Sequence, residues 1–425
     1  MVVAPIAPGR ERELRELLES MNSEPGVVDP GNRLLPFGQF ERLHFARFAL
    51  LEDPTLADLE SYGLPPPNVP NYLAFMGDCD GPSHELLADL SLRAGPGLRR
   101  IFACCEGFDN RDDLLAWMLE HDLPVAASYV NWVGRTVLQI RQESALQRAL
   151  AAKVPRQPIA TGAEAQQRRR DMIEFVQAEV RAGRLALTPP APTPLGWQVA
   201  GLAHAIAVPL VGLIALPLLI VLLPLLIIQL RRLETSDPEI CPRPGLKSLQ
   251  QLQRLEDHDV TNQYTALGLV KPGLYRRWLL TVLLVLTDYA CRHVFTRGFL
   301  ARVQTIHFAR WAFLDGKSRV VFASNYDGGH EAYMDDFINK VGWGLNLLFS
   351  NGVGWPRTDW LIRGGSRIEH RFKFYQRRHQ LPTQVWFKAY PGLALVDLER
   401  NQRVREGLEL AQVSDAQALA WLKLL

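Results

Sequence analysis

The chain contains one stretch twice, and that repetition limits its possible folds more than composition does. ERLHFARFALLEDP at 41–54 returns as QTIHFARWAFLD at 304–315. Each is followed by a second apolar run closing on Asp-Gly, NYLAFMGDCDG at 71–81 and RVVFASNYDGG at 319–329. The likeness continues outward in the same order. MVVAPIAPGRERELRELL at 1–18 parallels NQYTALGLVKPGLYRRWLL at 262–280, and LRRIFACCEGF at 98–108 parallels LNLLFSNGVGW at 345–355. HDLPVAASYVNWVG at 121–134 parallels HQLPTQVWFKAYPG at 379–392. The spacing between copies drifts only where loops differ in length, chiefly through SYGLPPPNVP at 61–70. Matched blocks in one order read as a tandem duplication.

Each copy yields the same expected elements. In the first, 2–6 is a strand broken by Pro8-Gly9, and 10–21 is a helix with Leu14, Leu17 and Leu18 at helical spacing. Strands follow at 42–51 and 72–79, then a helix opened by Pro82-Ser83 that carries Leu86, Leu87 and Leu90, then a fourth strand at 99–105. The second copy repeats this as strands at 264–270, 305–314, 319–326 and 346–350 and helices at 274–294 and 331–340. The order βαββαβ is the ferredoxin-like, split-βαβ pattern. A further helix and strand close each copy, at 111–121 and 125–133, and at 369–379 and 384–389. The expected class is therefore α+β, with repeat 1 over 1–150, a linker over 151–255 and repeat 2 over 256–425. A sheet covered on one face needs a partner for the other, and two copies can supply it to each other within one chain.

This arrangement resembles the dimeric α+β barrel superfamily, which includes dye-decolorising peroxidases, chlorite dismutases and small cofactor-independent monooxygenases. The HFARW and SNYDG blocks also look like those of an uncharacterised bacterial family. The resemblance implies an intrachain barrel and a peroxidase-like or monooxygenase-like oxidoreductase, with haem as a possible cofactor. Asp80-Gly81 and Asp327-Gly328 echo the GxxDG motif of the haem peroxidases.

Between the copies lies a different kind of sequence. AAKVPRQPIATGAEAQQRRR at 151–170 is polar and reads as a mobile connection; RRDMIEFVQAEVRAGR reads as an amphipathic helix, and LTPPAPTP as a stiff spacer. Residues 195–230 then run without a single Asp, Glu, Lys or Arg, closed by Arg231-Arg232. A bilayer core needs roughly 20 apolar helical residues, so this segment reads as membrane-bound. If the copies pair, both ends must lie on one side. That favours a shallow hairpin bent at Pro209, Pro217 or Pro224, with Arg181, Arg184, Arg231 and Arg232 keeping both ends, and both repeats, on the cytoplasmic side of a bacterial inner membrane. Residues 279–286 are also apolar but too short to span, and their place in the repeat makes them the first helix of copy two, facing both its own sheet and the membrane segment. The expected partners are the lipid bilayer and a hydrophobic small molecule.

A formal net charge of +2 argues against nucleic acid, and the arginines at 168–170 read as a solvated helix face. Five cysteines without a CxxC pair read as reduced thiols, and the chain starts directly in a strand with no signal-peptide pattern. No HExxH, P-loop or GxSxG occurs.

Chemistry must then come from the repeated blocks. Strand alternation puts His44 with Ala46 and Phe48, and His307 with Ala309 and Trp311, leaving Arg47 and Arg310 on the opposite face. Histidine would serve as haem ligand or general base, and arginine would hold an anion or a peroxide-derived oxygen. Against this stands the plainer reading of hydrogen-bonded core histidines. Copy two keeps more polar groups at its strand ends. The catalytic candidates are therefore His307, Arg310, Asp327 and Asn325, and the cofactor-binding candidates are His330, Ser350, His44 and Arg47. Asp80 and Asp327 can equally be turn or capping residues. Three functions follow: a membrane-associated oxidoreductase acting on a hydrophobic substrate, a non-catalytic protein that binds a lipid or hydrophobic ligand, or a structural membrane-anchored partner protein.

Overall fold

The computed structural model describes residues 1–154, 161–296, 298, 300 and 302–425. In chain order the first half gives β1 (Val2–Pro5), α1 (Glu11–Glu19), β2 (Leu43–Leu51), β3 (Tyr72–Cys79), α2 (Ser83–Arg93), α3 (Gly95–Phe102), α4 (Leu114–Glu120) and β4 (Ala127–Val130). Helices α5 (Val137–Lys153), α6 (Gly162–Arg181), α7 (Leu195–Ser236) and α8 (Leu246–Gln253) follow. The second half gives β5 (Thr261–Leu269), α9 (Leu274–His293), β6 (Ile306–Leu314), β7 (Arg319–Asp327), α10 (His330–Phe349), α11 (Glu369–His379) and β8 (Thr383–Lys388), then α12 (Leu395–Glu409) and α13 (Asp415–Leu422).

The protein is mixed α and β, with two four-stranded antiparallel sheets of matching order. One runs β1-β3-β2-β8, the other β5-β7-β6-β4. Each HFAR strand would be a sheet edge, a row of unpaired N–H and C=O groups. The last strand of the opposite half covers that edge: β8 pairs with β2, Val385 against Phe48, and β4 pairs with β6, Ala127 against Trp311. The halves are thus interlaced by exchanged strands. Between the sheets, Ala49, Leu51, Ala74 and Met76 meet Leu267, Leu314, Val321 and Ala323 in one apolar cluster.

The fourth strand of each copy is not formed as the pattern suggested. Residues 99–102 belong to α3, and 346–349 to α10. In α3 the buried residues other than glycine are Leu98, Ile101 and Phe102, a helical spacing, whereas alternation over LRRIF would have buried an arginine. What survives is one bridge per copy, Ile6 to Cys105 and Val270 to Gly352. The backbone bonds are Ala7 N–H to Cys104 C=O at 2.9 Å and Lys271 N–H to Asn351 C=O at 2.8 Å.

Chain contacts divide the molecule into two compact units. Both sheets and α7 lie in the unit formed by 1–133 with 193–388. The other, 134–192 with 389–425, is helical: α5, α6, α12 and α13 close around Leu146, Leu150, Met172, Val404 and Trp421. Of the polar connection at 151–170, residues 155–160 lie outside the described residues, and 162–170 are already helix α6.

The apolar segment is one continuous helix, not a hairpin. Among the described residues, α7 alone is long and apolar enough to cross a membrane, and no residue of its most apolar window is buried. Pro209, Pro217 and Pro224 sit inside it. At 100° per residue they fall within about 80° of one another, so their lost hydrogen bonds bend one face of the helix instead of reversing the chain. The helix is about 63 Å long at 1.5 Å per residue. It runs antiparallel along α9: Tyr289 donates to Ala205 C=O at 3.4 Å near one end, and Tyr275 to Leu226 C=O at 2.9 Å near the other. Beyond that, the buried Glu234 accepts from the backbone N–H groups of Trp360 and Leu361 at 3.0 and 2.8 Å. Those two residues have φ of 56° and 61°, a conformation that L side chains resist, so the carboxylate is what holds the turn. Asp237 closes the anchor with Arg276 at 2.6 Å and Lys271 at 2.9 Å.

Candidate functional site

The HFAR strands each carry a register shift at the histidine, between Leu43 and Phe45 and between Ile306 and Phe308. An extra residue at a bulge resets the alternation of faces. His44 and His307 therefore do not share a face with Ala46 and Ala309, as simple alternation required. They join Arg47 and Arg310 on the side that meets the other sheet. His44 lies against Phe308 with ring centroids 5.6 Å apart, and His307 against Phe45 at 5.3 Å. Each histidine bonds the Asp-Gly aspartate of its own half: His44 Nε2 to Asp80 at 2.9 Å, His307 Nε2 to Asp327 at 2.7 Å. Thr261 also donates to Asp327 at 3.0 Å. These aspartates orient a buried ring, a role neither turn nor cap describes.

The two arginines cross to the opposite half and meet. Arg47 donates to Tyr264 C=O at 2.8 Å, Thr265 Oγ1 at 2.9 Å, Ser324 C=O at 2.9 Å and the Asn325 amide oxygen. Arg310 donates to the carboxylate of Asp78 and to Gly77 C=O. Asn325 joins them, its amide nitrogen donating to Asp78 at 2.7 Å. The chain Arg47–Asn325–Asp78–Arg310 stitches sheet to sheet. Burial, then the neighbouring Arg310 charge, pulls the Arg47 guanidinium down to about 9; burial alone brings Arg310 to about 10. Both remain charged at neutral pH. Arg47 also lies over the Trp386 ring at 4.9 Å, a favourable cation–π placement. Their donors are directed at protein acceptors, which makes the arrangement a buried polar lock between the sheets.

Asp78 escaped the sequence reading although it aligns with Asn325, one residue into each GDCDG or SNYDG block. The remaining candidates lie apart. His330 opens α10, buried beside the Tyr264 ring at 5.9 Å, and Ser350 follows its last turn, beyond a kink at Val341. His307, Arg310, Asn325 and Asp327 are brought to the sheet interface with His44 and Arg47; His330 and Ser350 are not.

A second feature lies on the outer face of the second sheet. Ala309, Trp311 and Phe322 face α9 and α10 there, and between them is a cavity of about 220 Å³ lined almost wholly by apolar groups. Leu283, Cys291, Phe337, Gly344 and Leu348 are among its walls. Leu286 and Trp343, both about half exposed, form its rim beside the exposed Trp278, Val282 and Val285 of α9. Two observations were available in the sequence: the unusually apolar α9, and the Gly342-Trp343-Gly344 run in α10.

A haem requires a ligating side chain facing a cavity of matching size. His44 and His307 direct Nε2 to carboxylates inside a packed interface, and among the described residues no histidine lines the 220 Å³ cavity. The residues present do not fit the group. Among the described residues no cluster of three or more His, Cys, Asp or Glu is placed to hold a metal ion. Comparison with protein-family models, curated proteins and solved structures found no match.

Proposed function

We propose that the protein is a membrane-associated, non-catalytic binder of a hydrophobic ligand. The observation that carries this reading is the apolar cavity of about 220 Å³ whose rim adjoins the exposed apolar faces of α9 and α7. Ligand sites are typically apolar hollows with a few polar groups, and this one is slightly below the roughly 300–1,000 Å³ of drug-sized sites, a size suited to part of a lipid chain. The oxidoreductase alternative would use His307, Arg310, Asn325 and Asp327 on a substrate between the sheets. It is the weaker reading, because those side chains are engaged with one another and with backbone.

The two halves are read as duplicated ferredoxin-like modules paired as an intrachain α+β barrel, supported by matching sheet order, the paired bridges at Cys105 and Gly352, and the matched His–Asp pairs. On this reading α7 and the exposed face of α9 enter one leaflet together. Both ends of α7 stay on the side of the sheets, which flanking arginines assign to the cytoplasm of a bacterial inner membrane.

Extraction of detergent-purified protein into organic solvent, followed by mass spectrometry, tests the reading. An apolar molecule stoichiometric with the chain is expected in the wild type. It should be depleted in Gly344→Leu, whose side chain grows into the cavity. Equal content in both proteins would sink the assignment.

A further inference from the structure

The apolar run at 195–230 holds a single side chain that titrates near neutral pH, His204. Such a group costs free energy in apolar surroundings and is kept beside a polar partner. His204 meets the last turn of α9. Its Nδ1 lies 2.9 Å from Nε2 of His293, and the two rings are stacked with centroids 5.2 Å apart. On its other side, His204 Nε2 lies 3.7 Å from the Asp288 carboxylate. Asp288 is itself fixed, by Arg292 at 2.7 Å and by the Ser128 N–H of β4 at 3.2 Å. The Tyr289 ring packs on His293 at 4.9 Å, and its hydroxyl is the one that donates to Ala205 C=O. Among the described residues, the charged groups set against the pair are Asp288 and Arg292.

The contact works with one proton in the gap between the rings. Two neutral imidazoles can put an N–H against a lone pair. A charged His204 still donates from Nδ1, with Asp288 opposite its other nitrogen. A further proton on His293 Nε2 sets N–H against N–H and cation against cation, and no hydrogen bond remains. Burial, then the His204 and Arg292 charges, hold the His293 imidazole below its ordinary value. The closed contact therefore favours the neutral ring, and its contribution is lost as pH falls below about 6.5, where a free histidine takes up its proton. The other end of α7 is built differently: Glu234 and Asp237 anchor it with carboxylates in place of imidazoles.

We propose that the His204–His293 pair is a proton-operated latch, which holds the N-terminal part of α7 on α9 while His293 is neutral and frees it when both rings are protonated. The C-terminal end of α7 is the fixed point of that motion. The inference rests on the placement of α7 along α9 and not on what the cavity holds.

Pulsed EPR distance measurement on the full chain in phosphatidylcholine nanodiscs tests it, with Cys79→Ser and Cys241→Ser removing the accessible native thiols. Spin labels at Val199→Cys and Val285→Cys, both exposed, report the latched end, and labels at Ile228→Cys and Leu274→Cys report the anchored end. Between about pH 7.5 and about pH 5, either side of the histidine range, the first distance should lengthen and broaden while the second stays. His204→Asn places an amide where Nδ1 stood and can offer His293 either its N–H or its oxygen, so it should keep the short distance at both pH values. A merely structural histidine predicts no change in the wild type. An unchanged first distance overturns the latch, and so does an equal change in His204→Asn or at both ends. If His204→Asn fails to fold, His293→Gln makes the same test from α9.

Discussion

The outer faces of the two sheets began from matching sequence and ended in different chemistry. On the first, Ala46 sits beside Gly77, and a Cβ at Gly77 would already meet Leu43 at 3.3 Å and Leu86 at 3.5 Å. Here α1 of nine residues stands where the second half has α9, α2 and α3 of eleven and eight residues follow, and α1 places acids in its first turn. On the second, Ala309 sits beside Ser324, α10 kinks at Val341 into two pieces that match α2 and α3 in length, and the helix that differs is α9, of twenty residues. The longer α9 forms one wall of the hollow. Ser324 is drawn instead into a hydrogen bond with the Tyr333 hydroxyl at 2.7 Å. The buried interface between the sheets, by contrast, is nearly symmetric: a His–Asp pair and a crossing arginine from each half. The two halves are alike inside and differ outside, where packing on the partner sheet does not constrain them.

The interior symmetry fails at one point, and the largest expected effect probes it. Arg310 faces the Asp78 carboxylate, whereas Arg47 donates to neutral oxygens of Tyr264, Thr265, Ser324 and Asn325. Arg310→Ala strands a buried anion and should cost about 3–5 kcal/mol of unfolding free energy, read by chemical denaturation in detergent. Arg47→Ala strands neutral acceptors and should cost less, about 1–3 kcal/mol. A larger loss at Arg47 would show that the asymmetry has been misplaced. The histidines should behave alike. His44→Ala and His307→Ala each remove one buried bond to an aspartate, for on the order of 1–3 kcal/mol apiece, with no selective loss of ligand at His307. A His307 change that abolished ligand retention without matching destabilisation would revive the oxidoreductase reading. The effect on topology should be nil: Cys241, exposed just beyond α7, and a cysteine placed at Arg184→Cys before it should react with an impermeant maleimide from the same side of sealed vesicles. Opposite-side labelling would make α7 a full crossing.

Much of the fold was legible in the repeat. The HFAR and Asp-Gly strands, the first helix of each copy and the closing strands near Ala127 and Thr383 lie where spacing put them. The exchange of β4 and β8 was not legible, because alternation marks a strand without naming its neighbour. The fourth strands were misread since four- and five-residue apolar runs such as LRRIF suit helix and strand alike, and only tertiary packing decides. The face of His44 and His307 was misread for a subtler reason: a bulge leaves no mark in the residues around it, yet it moves one side chain to the other face. Three prolines in α7 pointed to a turn, but each removes only one backbone bond and the rest of the i to i−4 ladder carries the helix past it.

The most direct test places one substitution at matched positions. Ala46→Leu and Ala309→Leu are the same change at the same place in the HFAR repeat. Ala46→Leu should overpack the first outer face and cost about 1–3 kcal/mol, with the bound apolar molecule retained. Ala309→Leu should extend into the cavity, leave stability near that of the wild type and expel the molecule. Equal destabilisation by the two, with ligand content unchanged in both, would contradict the account.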